Sequence, residues 1–279
     1  MKFAFYGDSW CYHWMLPQEL EKISKSIENN YKGEIKYEDQ LPTESHFLYG
    51  MLLRSLGHSA ISFGAPCAHM EYVIHQVEES TAKDADIHVV FLSSVIRELS
   101  HEGMWDKVPE NIKKDHDKFI EFYENKQLRL IWKLNKIAEQ DNLRILLIGG
   151  HGVISDKAAD STNELITVLS KDILKDLYLE RNPDEATQPI WQYPHYFRMC
   201  TDIDFEEHDK KGWDINITKR MVKDIGTFIT LDGTSHFCTP PLWPMLYPDG
   251  GHPNGSTQFN ILNKILLAAE EIISKRPVV

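Results

Sequence analysis

Three side chains at opposite ends of the chain have the types and spacing that nucleophilic catalysis requires. Ser9 follows Gly7 and Asp8 directly after a short apolar run, in "KFAFYGDSWCYHW" (2–14). Asp249 and His252 stand three residues apart in "YPDGGHPNGS" (247–256). A serine hydroxyl is a weak nucleophile until a base takes its proton, and that base, usually His, needs a carboxylate to hold its tautomer. The two glycines between Asp249 and His252 permit a tight turn in which the carboxylate reaches Nδ1 and leaves Nε2 to face Ser9. Pro253 then stiffens the exit from the turn. Asp8, beside Ser9, reads as a structural hydrogen-bond acceptor and not as a catalytic acid.

Other groupings compete and are weaker. Ser9 alone would read as a helix cap after a strand; the distant Asp–His pair reverses that reading. Asp232 and His236 in "DGTSHF" are spaced one residue wider, and no terminal helix follows them directly. Cys67 and His69 in "GAPCAH" lack a third partner, so a small buried thiol is expected there. The 13 histidines include no HExxH and no paired His–carboxylate spacing, so neither a metal nor another cofactor is called for. Trp10 is expected in the core. Tyr12, His13, Trp14 and the later Trp191, Tyr193, Tyr196, Trp243 and Tyr247 could serve either a core or a sugar-binding cleft.

The elements that must position Ser9 and His252 alternate between short β-type runs and longer helical ones, the pattern of βαβ units around a parallel sheet. Strands are predicted at 2–6, 59–63, 86–94 and 143–150, with "YPHYFRM" (193–199) as a fifth, placed at an edge because of its proline. Helices are predicted at 46–56, stopped by Gly57, and at 70–80, with Val73, Ile74 and Val77 on one side. Two more are amphipathic: about 115–141, with Ile120, Tyr123, Ile131, Leu134 and Ala138 at helical spacings, and 256–275, with Ser256 as its N-cap. The stretch 201–247, rich in Asp, Thr, Pro and aromatics without a period, reads as a lid-like insertion in one domain spanning 1–279.

In such sheets ligands bind where loops leave the strands' carboxyl ends. Those ends carry Gly7-Asp8-Ser9, Gly64, Ser93-Ser94 and Gly149-Gly150-His151. The net charge of −12 argues against a nucleic-acid partner. No apolar run approaches the roughly 18 residues of a membrane span, and the N-terminus lacks a signal-peptide pattern. The four cysteines form no CxxC pair and suit a reducing compartment. A cytoplasmic location is therefore expected, with release by lysis or carriage on a particle left open; the oligomeric state is not legible.

Taken in order, "GDS" near the start, a glycine after the second strand and "DGGHPN" before a terminal helix resemble the SGNH, or GDSL-type, hydrolase superfamily of esterases and lipases. The resemblance implies a three-layer flavodoxin-like α/β fold with a central, mostly parallel five-stranded sheet. It further implies ester hydrolysis with Ser9 as nucleophile, His252 as base and then acid, and Asp249 as its orienter. The backbone N–H groups of Ser9 and Gly64 would form the oxyanion hole. One motif departs: where the family places Gly-x-Asn-Asp, this chain has "LSSVIRE" (92–98), with Val95 at the position of the Asn donor. Losing one such donor costs on the order of 100- to 1000-fold in turnover, so another group must substitute, Ser94 first, then Ser93 or the 149–151 loop. The expected substrate is a small-molecule or glycan ester, with deacetylation of a glycan favoured. A non-catalytic carbohydrate-binding module and an acyltransferase remain the alternatives.

Overall fold

The computed structural model describes residues 1–8, 10–11, 49–65, 68–93, 111, 116–150, 152–181, 253 and 255–275. In chain order these form β1 (Lys2–Tyr6), α1 (Tyr49–Ser55), β2 (Ser59–Ser62), α2 (Met70–Glu78), β3 (Ile87–Leu92) and α3 (His116–Asp141). They continue with β4 (Ile145–Gly149), α4 (Asp156–Asp160), β5 (Ile166–Ser170), α5 (Ile173–Arg181) and α6 (Gly255–Ser274). The five strands make one sheet in the order β2-β1-β3-β4-β5, and every pairing is parallel. That is the flavodoxin-type order, so the expected α/β fold class is the observed one.

The three central strands are buried along almost their whole length, as continuous apolar runs should be when helices cover both faces. One face packs Ala4, Tyr6, Val90, Leu92 and Leu147 against α2, α3 and α4, through Val73, Ile131, Leu134 and Ala158. The other packs Phe3, Phe5, Val89, Phe91 and Ile148 against α1, α5 and α6, through Leu52, Ile173, Leu262 and Ile265. Alternation along each strand thus feeds two cores from one sheet. Gly57 ends α1's turn with φ = +78°, the left-handed stop its position predicts.

A strand that the sequence reading did not predict completes the described sheet. The edge strand is Ile166–Ser170, "ITVLS", paired to β4 with a register shift at Leu147/Ile148; residues 193–199 lie outside the described residues, as does the insertion expected at 201–247. An edge strand that is buried only at its ends has neither strict alternation nor a full apolar run, which is why it escaped the pattern. Helix α6 begins at Gly255, so Ser256 lies within its first turn and is not its cap. Among the described residues no helix is long and apolar enough to cross a membrane.

Candidate active site

β1 and β3 are neighbours, but the helices that follow them go to opposite faces, α1 to one core and α3 to the other. The chain therefore parts above the carboxyl ends of these two strands, and a crevice opens there. β1 runs out into Gly7-Asp8, and β3 ends at Leu92 with Ser93 next.

Asp8 ties the two strand ends together. It is 2% exposed; its Oδ1 accepts the Trp10 N–H at 3.0 Å, and its Oδ2 accepts the Ser93 hydroxyl at 3.0 Å. The Cys11 N–H donates to Asp8 O at 3.0 Å, closing the chain between them into a turn. Asp8 is thus the structural acceptor its sequence position predicts. Ser93 is fully buried, and its one hydroxyl proton goes to Asp8.

Other anchors converge on the same loop. Gln76, on the buried face of α2, accepts the Gly7 N–H at 3.1 Å through Oε1. Trp10 is 2% exposed and packs edge-on against Phe91, in the core as expected. Burial, with the Asp8 charge in support, pushes the Cys11 thiol well above its usual pKa, so this cysteine is inert.

Gly64 sits beside this turn because pairing between the first two strands runs on past their ends: Phe63 N–H donates to Phe5 O at 2.8 Å, and Ala65 N–H to Gly7 O at 3.1 Å. A Cβ on Gly64 would lie 2.5 Å from the Cys11 carbonyl carbon, so only glycine allows this approach. The Gly64 N–H donates to Ser62 Oγ at 3.2 Å, and Ser62 Oγ in turn donates to Cys11 O. His69 closes the loop as the N-cap of α2, accepting Tyr72 N–H at 3.3 Å through Nδ1, a structural use of this side chain.

Ser9, Ser94, Val95, Asp249 and His252 lie outside the described residues, as do Cys67, His151, Asp232 and His236. The neighbours of two of them are fixed. Asp8 and Trp10 flank Ser9 in the chain, and Pro253 follows His252, its carbonyl accepting the Nε2 of fully buried Gln258 at 2.9 Å. Gln76 and Gln258 escaped the sequence reading. The available signal was a glutamine interrupting an otherwise apolar helical stripe, as Gln76 does beside Val73, Ile74 and Val77.

Among the described residues a cleft of about 500 Å³ is lined by Asn111 and by Lys118, Glu121, Phe122, Asn125, Lys126 and Arg129 of the first half of α3. Gln127 fixes its height: Nε2 donates to Val153 O at 2.7 Å, and Oε1 accepts Ser155 N–H at 2.7 Å, both in the loop after β4. Lys126, next to it in the chain, is near enough to act electrostatically on His69 and Glu71. Among the described residues the cluster of possible metal ligands is His75 and Glu78 of α2 with its C-cap Glu79, all exposed, and Glu78 accepts Lys133 Nζ at 2.7 Å.

No family model matches the chain, and no curated protein matches it. Among solved structures it is similar to an alpha/beta hydrolase enzyme from the metagenome of Lake Arreo, Spain, with 11% identity over 96% of this chain and 94% of that one and a TM-score of 0.40. It is also similar to a GDSL-like lipase from Bacteroides thetaiotaomicron, with 10% identity, 97% and 88% covered and a TM-score of 0.37. A third is an acetyl xylan esterase, with 14% identity, 96% and 99% covered and a TM-score of 0.33. At such values the fold assignment rests on the order and pairing of the five strands themselves.

Proposed function

We propose that the protein is a serine hydrolase that cleaves a carboxylic ester through an acyl-enzyme on Ser9. His252 takes the hydroxyl proton as Ser9 Oγ attacks the carbonyl carbon, then returns it to the departing alcohol. Water, deprotonated by the same imidazole, attacks the acyl-enzyme; the acid leaves and Ser9 regains its proton. Asp249 orients the imidazole. The oxyanion donors are the N–H groups of Ser9 and Gly64, with Ser94 in place of the family's Asn.

The observation that carries this reading is the Asp8–Ser93 hydrogen bond across the split between β1 and β3. It spends a buried carboxylate on holding the strand end from which Ser9 follows, at the place where a sheet of this order binds ligands. Ser93 then serves as a positioning residue. Among the described residues the Gly64 N–H donates to a serine hydroxyl at 3.2 Å, a bond that a developing oxyanion would outcompete.

Fluorophosphonate labelling of the purified chain tests the mechanism. The wild type should label and should hydrolyse 4-nitrophenyl acetate; Ser9→Ala and His252→Ala should do neither, with turnover lower by about 10⁴-fold or more. Labelling that persists in Ser9→Ala overturns the assignment.

A further inference from the structure

Among the described residues three glutamines are buried, one on each of α2, α3 and α6. Gln76 lies on the face that carries Val73, Ile74 and Val77, and Gln258 heads the stripe of Ile261, Leu262 and Ile265 at the i, i+3, i+4, i+7 spacing. An apolar side chain would pack at either position without the cost of desolvating an amide. What each amide holds is therefore informative. Gln127 uses both ends on the loop after β4, at Val153 and Ser155. Gln76 turns its acceptor end to β1: Oε1 accepts the Gly7 N–H at 3.1 Å, while the buried Nε2 makes no hydrogen bond. Gln258 turns its donor end to the Pro253 carbonyl at 2.9 Å, two residues before α6 and outside the helix's own ladder.

The helices that carry Gln76 and Gln258 cover opposite faces of the sheet, yet the backbone each one holds adjoins a member of the proposed triad. Gly7 stands two residues before Ser9, and Pro253 one residue after His252. Gly7 is gripped at both its backbone groups, since its carbonyl accepts the Ala65 N–H at 3.1 Å, and a Cβ there would fall 2.9 Å from Cys11 Sγ. We propose that Gln76 and Gln258 are a pair of positioning residues, Gln76 fixing the backbone that leads into Ser9 and Gln258 the backbone that follows His252. Nucleophile and base are then aligned from helices on the two faces. This rests on the ester-hydrolase reading and adds to it two residues that act through their neighbours.

Methionine is close to glutamine in length and volume and lacks the amide. Gln76→Met and Gln258→Met, assayed with 4-nitrophenyl acetate well below their urea midpoints, should each lower kcat about tenfold or more and leave KM within about twofold, because the alignment of the reacting groups changes and the substrate's contacts do not. Gln127→Met is the comparison. It removes an equally buried amide from a loop outside the proposed triad and should keep the wild-type kcat, whatever it costs in stability. Gln76→Glu retains an oxygen to accept the Gly7 N–H and should recover most of the kcat that Gln76→Met loses. Near-ultraviolet circular dichroism checks folding; if Gln258→Met fails it, Gln258→Asn, whose amide falls one methylene short of Pro253, takes its place and should show the same loss. Undiminished kcat in either variant overturns the pair, as does an equal loss in Gln127→Met or no recovery in Gln76→Glu. Fluorophosphonate labelling separates the two levels: a wild type that labels on Ser9, beside variants of undiminished kcat, sinks the positioning pair alone, whereas a wild type that neither labels nor hydrolyses sinks both.

Discussion

Asp8 commits both carboxylate oxygens to holding its neighbours, Oδ1 to Trp10 N–H and Oδ2 to the Ser93 hydroxyl. Truncation to alanine leaves two buried donors unpaired, at about 1–3 kcal/mol each. Asp8→Ala should therefore lower stability in urea by roughly 2–5 kcal/mol and strongly reduce aryl-ester turnover. Asp8→Asn keeps an acceptor for Trp10 and presents an amide donor that the Ser93 oxygen can accept, so it should lose about 1 kcal/mol and retain part of the activity. Equal damage from both variants would show that charge, and not hydrogen bonding, is what matters at this position. Gly64→Ala tests the close approach on the other side: its Cβ would fall 2.6 Å from Cys11 Cβ as well as against the Cys11 backbone, so a loss of about 1–3 kcal/mol is expected in the same titration. Asp8 and Gly64 were legible in the sequence because each stands at a strand end beside a predicted nucleophile. The role of Ser93 was not, because the direction of a hydroxyl is set by a partner 85 residues away.

At the scale of elements, β1, β3 and the segment after α2 are joined by a buried polar chain. The Tyr6 hydroxyl donates to Ser80 Oγ at 2.7 Å and lies 3.0 Å from His88 Nδ1, with the two rings stacked. Since the phenol proton goes to Ser80, Nδ1–H is the donor to Tyr6, and His88 is neutral with Nε2 making no hydrogen bond. Burial, aided by Lys83, lowers the His88 pKa to about 4 against the pull of the Ala85 carbonyl, Asp84 and Asp141; burial likewise pushes Tyr6 up to about 12. In the unfolded chain His88 titrates near 6.5, so between there and about pH 4 the unfolded state holds a proton that the native state refuses. Stability should fall as pH drops through this window and level off below it, with a total on the order of 3 kcal/mol. His58 and His69 are also lowered by burial and act in the same direction, so the comparison that isolates His88 is wild type against His88→Phe. Urea midpoints from pH 7 to 4 should decline less steeply in the variant; parallel slopes would refute the assignment. The sequence showed β3 as a strand, since its run from Ile87 to Leu92 is apolar but for this histidine. β5 stayed hidden for the opposite reason: an edge strand needs only partial burial, and its five residues lie between two short helices without a glycine or proline to mark them.

For the whole molecule, one sheet serves two cores and the ends of the chain meet on one of them. Phe3 and Phe5 of the first strand share a cluster with Ile261, Leu262 and Ile265 of the last helix, whose entry is held by the Gln258–Pro253 hydrogen bond. In the proposed mechanism this docking carries His252 toward Ser9, since Pro253 follows His252 directly. The opposite core, to which Leu134 of α3 belongs, supports the other face of the sheet and takes no part in the proposed mechanism. Ile265→Ala and Leu134→Ala each empty a fully buried site and should each cost about 2–5 kcal/mol. Because the same strands line both cores, each variant should unfold in a single transition with an unchanged urea slope. Activity should separate them. At equal loss of stability, and well below the unfolding midpoint, Ile265→Ala should lower kcat for 4-nitrophenyl acetate several-fold more than Leu134→Ala, because it loosens the helix that follows His252. If kcat instead tracks stability alike in both, the docking of α6 serves only the fold, and the approach of the two chain ends must be fixed by residues 182–252.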